Sequence, residues 1–140
     1  MTQTGLQKSE LDSGDRKESK LALRISAWTG VLAFPVFFVA LMIIGSLRPG
    51  YSPISQHGSD LGVGWWGAWI FNTTLTVYGV ILLVFVAGFS RQIVSKVPRK
   101  RSILVRVLLT LAAIGGVLAG LFSEAYPQIH ALGGILIFGL

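Results

Sequence analysis

Two histidines and two carboxylates stand apart from the other ionisable residues: His57, Asp60, Glu124 and His130. The remaining acids all lie before residue 20, among bases. An imidazole beside a carboxylate can relay protons, hold a metal or bind a polar headgroup. In Ser52-Pro-Ile-Ser-Gln-His-Gly-Ser-Asp60, Ser52 can cap a short helix with Pro53 as its first residue. His57 and Asp60, three apart, would then share a face. Tyr51 opens the same loop and joins these four as a candidate binding residue. No pair has the spacing of a metal-binding HxxxH, so no metal is expected, and ordinary loop chemistry is the plainer account of all five. The chain has no cysteine, which removes disulfides, thiolate metal sites and a thiol nucleophile together. It also has no phosphate-binding glycine loop, no G-x-S-x-G elbow and no dinucleotide fingerprint, so no cofactor is expected.

The elements that must carry these residues follow from hydropathy. Of the 140 residues, 52% are apolar and only 13% charged, more apolar than a soluble core of this size requires. Residues 1–20 contain only Leu6 and Leu11 as large aliphatics, with bases and acids balanced, and are expected to form a disordered tail. Four apolar runs follow, at about 25–47, 66–89, 103–122 and 129–140. At about 1.5 Å per residue the first three can cross a hydrocarbon core of about 30 Å. The fourth reaches only about 18 Å before Leu140 and is expected to be the start of a longer helix. The first run is too long for a signal peptide and lacks a small-residue cleavage site, so it is expected to stay as an anchor. Pro35 lies inside it and should bend it rather than break it. Trp65, Trp66 and Trp69 open the second run, as a membrane interface selects. The predicted fold is therefore all-α, a multi-pass transmembrane bundle with a domain over 21–140.

Lysine and arginine fix the expected orientation. Lys8, Arg16, Lys17, Lys20 and Arg24 precede or open the first run, and Arg91, Lys96, Arg99, Lys100, Arg101 and Arg106 lie between the second and third. Only Arg48 falls on the other side. Bases are retained in the cytoplasm, so the N-terminus and the basic loop are expected inside the cytoplasmic membrane, with Tyr51 to Gly64 and Ser123 to Gln128 outside. Bases that flank apolar runs serve topology and lipid headgroups, so the net charge of +6 does not imply nucleic acid, and the partner is the bilayer. Arg106 can snorkel to the headgroups.

Two polar or small-residue features fall inside the runs. Ala112, Gly116 and Gly120 form a line along which another helix backbone can approach, within the chain or from a second copy, so a homo-oligomer through Gly116 and Gly120 is an alternative. Asn72 heads a polar stretch with Thr73, Thr74, Thr76 and Tyr78. Threonines can bond back to their own helix, but the Asn72 amide needs partners in the bundle or at the interface.

The string Arg48-Pro-Gly-Tyr-Ser-Pro-Ile-Ser-Gln-His-Gly-Ser-Asp-Leu-Gly62, with Trp69-Ile-Phe-Asn72, Gly120-Leu-Phe122 and His130, resembles a prokaryotic multi-pass membrane family known as domain of unknown function 998. The resemblance implies about six helices in a complete member, so this chain would match its N-terminal two thirds. Ser123 stands where the family pattern leads one to expect proline after Gly-Leu-Phe. The resemblance supplies no activity. The functional expectation is a non-enzymatic membrane protein whose outer polar mouth binds a lipid headgroup or small solute. A metal-dependent membrane hydrolase built on His57, Asp60 and His130, or a solute carrier, is the alternative.

Overall fold

The computed structural model describes the backbone of residues 3–93 and 97–139. Met1, Thr2, Leu140 and residues 94–96 of the basic loop lie outside the described residues, as do the side chains before residue 20 and from 91 to 96. Among the described residues, four α-helices occur in order: α1 Gln3–Leu47, α2 Ala68–Ile93, α3 Arg99–Leu121 and α4 Pro127–Phe138. A short 3-10 helix, Gly58–Gly62, sits between α1 and α2. The segments Lys20–Leu47, Ala68–Ser90 and Arg99–Leu121 are each long and apolar enough to cross a membrane. The protein is a multi-pass helical bundle.

The element boundaries differ from those expected at several ends: α2 runs on to Ile93, α3 begins at Arg99 and α4 at Pro127, and the starts of α1 and α2 differ for identifiable reasons. The segment expected as a disordered tail is helical from Gln3 and continuous with the first span. Its leucines, glutamine, lysines and glutamates are good helix formers, and extending an existing helix avoids the cost of nucleating a new one. The second helix begins at Ala68 rather than at the tryptophans, because Trp65, Trp66 and Gly67 form the turn that leads into it. Helix α1 runs on through Pro35.

Neighbouring helices meet through glycine. Where α2 crosses α3, a Cβ on Gly116 would stand 3.1 Å from the Cα of Gly79, so the two backbones touch. Gly120, one turn further, faces the Asn72 carbonyl and Thr76. Where α3 meets α4, a Cβ on Gly115 would lie 2.6 Å from the Gly133 carbonyl oxygen. Where α1 meets α2, Ser26 packs onto Gly88 and its hydroxyl donates to the Val84 carbonyl at 3.3 Å. Lipid tails are as apolar as leucine, so close backbone approach and such bonds, rather than hydrophobic exclusion, hold these helices together. The apolar side chains turn outward accordingly: Trp28, Val31, Phe34 and Val36 on α1 are all exposed. Gly116 and Gly120 of α3 thus face α2 within the chain.

Candidate binding cleft

The loop from Arg48 to Trp65 is fastened at both ends by side chains bonded to backbone. The Arg48 guanidinium donates to the Asp60 carbonyl. Asp60 turns its carboxylate back and accepts the His57 N–H at 3.1 Å, which caps the 3-10 helix. Tyr51 packs its ring on Gly45, and its hydroxyl donates to the His57 carbonyl at 3.4 Å. The Trp65 indole N–H donates to the Leu61 carbonyl at 2.6 Å, and the Asn72 amide N–H donates to the Gly62 carbonyl at 3.0 Å. Leu61 is completely buried between them, in a core with Ile44, Phe71, Leu75 and Ala119. Loop carbonyls near membrane depth are costly when unpaired, and these donors satisfy four of them, those of His57, Asp60, Leu61 and Gly62. Gly64 completes the path at φ 75°, a backbone that glycine adopts without a Cβ penalty.

The cap is not where Ser52 and Pro53 suggest. Ser52 to Gln56 closes a separate turn, in which the Gln56 side-chain oxygen accepts the Ser52 N–H at 2.8 Å. The helix proper starts after His57, because Asp60 is placed to bond the His57 N–H rather than to face its imidazole.

Beneath this loop lies a cleft of about 400 Å³ between α1 and α4. Phe37 and Leu41 of α1 form one wall, and Ala131, Gly134 and Phe138 of α4 the other, with Phe71, Leu75 and Ala119 as floor. His57, Ser59 and His130 stand at its loop end. A larger groove of about 710 Å³ runs beside α1 and α2 from Leu21 to Ala40, but it holds neither histidine nor carboxylate, only Arg24 and a few hydroxyls. The smaller cleft is therefore the one that joins apolar space to the histidines.

His130 reaches that position through a structural bond. Its Nδ1 lies 3.0 Å from the Ala119 carbonyl oxygen and 2.9 Å from that of Phe122, at the C-terminus of α3. The last carbonyls of a helix lack partners within it, so His130 of α4 caps α3 and fixes the turn between them. Ser123 holds that turn as well, its hydroxyl accepting the Ala125 N–H at 3.4 Å, where proline had been the expectation.

Of the expected cluster, the structure brings together only the two histidines. Asp60 is committed to its cap, and Glu124 lies half-buried in the α3–α4 turn; neither lines the cleft. Among the described residues, no three histidine or carboxylate side chains converge as a metal ion requires. Asn72, Gly116 and Gly120 lie at the α2–α3 seam, and Asn72 also ties the loop. The cleft walls escaped the sequence reading, although Ala131, Gly134 and Phe138 follow helical spacing and could have been found by it.

The chain belongs to the DUF998 family, described as proteins of unknown function, and the match covers residues 31–140. No curated protein and no solved structure matches the chain. Arg48, Tyr51, Asp60 and Asn72, within the stretches that resemble this family, help to fasten the loop over the cleft.

Proposed function

We propose that the protein is a non-enzymatic binder of an amphiphile, taking an apolar chain into the cleft between α1 and α4 and a polar head at His57, Ser59 and His130. One observation carries this: an apolar-walled cleft of about 400 Å³ ends in both of the chain's histidines. A volume of that order suits a small ligand or part of a lipid, and apolar walls with few polar groups at one end match an amphiphile better than a free solute. The head end lies outside the cytoplasm, because the basic residues from Arg99 to Arg106 belong to the opposite end of the bundle and are retained inside.

Gly134 provides the test. A Cβ added there meets nothing within 4 Å, and the residue lines the cleft, so Gly134→Trp fills the space without touching a helix seam. Native mass spectrometry from mild detergent should show lipid retained by the wild type and lost by the variant, at equal thermal stability. Equal retention in the two would remove the cleft from consideration.

A further inference from the structure

The two bonds of His130 determine which hydrogen-bonding group it offers to a ligand. Both neighbours of Nδ1 are carbonyl oxygens, at 3.0 Å on Ala119 and 2.9 Å on Phe122. Carbonyl oxygens only accept, so a lone pair on Nδ1 would face two others, whereas an N–H there serves both as a shared donor. In the neutral ring the proton therefore resides on Nδ1, and Nε2 carries the lone pair. With Nδ1 held at the end of α3, Nε2 is the ring nitrogen left for a ligand in the cleft that His130 lines.

We infer that His130 Nε2 is a fixed hydrogen-bond acceptor at the head end of the cleft, and that the head it selects is a hydrogen-bond donor, hydroxyl or ammonium, rather than an anion. This rests on the amphiphile reading above and adds the chemical class of the head. Histidine usually chooses its tautomer to suit a ligand; here the backbone of α3 has made the choice beforehand, so a donor head meets a lone pair already in place. An anion without donors would meet that lone pair with its own. Arg48, the arginine at this end of the bundle, is turned to the Asp60 carbonyl, and neither Arg48 nor any lysine lines the cleft to compensate. Ser59 and the His57 imidazole can each donate or accept and so follow whatever the head presents, which leaves His130 as the group whose role is set in advance.

The chain has only two histidines, so nitrogen-15 labelling of histidine yields two imidazoles, and His57→Gln assigns them. The protein is placed in nanodiscs of phosphatidylcholine, whose head has no donor. Expected there is one ring, His130, protonated on Nδ1 and bare on Nε2. Adding diacylglycerol, a hydroxyl head, or phosphatidylethanolamine, an ammonium head, should shift the His130 Nε2 resonance toward its hydrogen-bonded position, and comparing the two identifies the source. Phosphatidylmethanol, an anion without a donor, should leave it unmoved. Proton on Nε2 in the starting nanodisc would overturn the tautomer assignment. A response to phosphatidylmethanol alone would overturn the donor preference while leaving an amphiphile site standing. If no lipid moves either histidine although Nδ1 carries the proton, the amphiphile reading itself has failed. His130→Gln keeps an amide donor for the α3 carbonyls; retained thermal stability with diacylglycerol no longer held in native mass spectrometry separates recognition from capping, and undiminished retention would overturn recognition by His130.

Discussion

Valine at position 116 is expected to destabilise the monomer, because the α2–α3 seam leaves no room beyond hydrogen there. A Cβ on Gly116 already stands 3.1 Å from the Gly79 Cα and 3.3 Å from Ile137 Cδ1. The isoleucine can rotate, but the backbone atom moves only if the two helices part, and valine adds two methyls beyond that Cβ. Overpacking of this kind costs about 1–3 kcal/mol. Removing a mid-helix glycine returns about 0.5–1 kcal/mol, less for a β-branched residue. The net loss is on the order of 1–2 kcal/mol, roughly a five- to thirty-fold fall in the folded-to-unfolded ratio. Gly134→Ala is the control: it meets nothing within 4 Å and should gain about 0.5 kcal/mol from helix propensity alone. Unfolding in mixed micelles by sodium dodecyl sulfate, followed by tryptophan fluorescence, reads both variants. Wild-type stability in Gly116→Val, with the loss appearing instead as dissociation of a dimer, would refute packing of this seam within the chain.

Three further outcomes follow from the loop and the topology. Asn72→Ala removes the donor to the buried Gly62 carbonyl and should cost about 1 kcal/mol, seen as faster hydrogen exchange confined to the loop over residues 57–65. Trp65→Phe keeps the ring but drops the bond to the Leu61 carbonyl, and should loosen the same segment by a similar amount, about 1 kcal/mol, with α3 and α4 unaffected. For orientation, Ile54 is 97% exposed at the loop end and Lys100 is exposed at the basic end, so single cysteines there suit a membrane-impermeant thiol reagent on intact cells. Only the cysteine at 54 should label; labelling at 100 alone would invert the topology.

The spans were legible in the sequence because crossing a membrane demands long uncharged runs, and no other constraint imitates them. Helix ends were less so: Lys20 to Arg24 is not apolar, yet it continues α1, and Trp65 reads as an interface anchor although its indole is spent on the Leu61 carbonyl. Trp66 and Trp69, both largely exposed, are the ones that fit the belt. The polar residues were found but their partners were not. Side chain to side chain pairing was the natural expectation for His57 with Asp60, three apart on one face. In the structure Asp60 and His130 bond backbone instead, because a loop end and a helix end each leave unpaired main-chain groups that outcompete a distant side chain. No spacing rule announces such a pairing, since it depends on where α4 crosses α3.

The account turns on whether an apolar chain enters the cleft between α1 and α4. A lipid carrying a photoreactive diazirine in its acyl chain, incorporated in nanodiscs with the wild-type protein and mapped by peptide sequencing, reports this directly. Leu41, Phe71 and Ala131 line the cleft, whereas Leu132 and Ile135 lie on the same α4 but face outward. Labelling concentrated on the first group, and suppressed there by Gly134→Trp, is the predicted result. Labelling of Leu132 and Ile135 with none at Leu41 or Phe71 would mean that lipid only surrounds the protein, and would contradict the proposed binding.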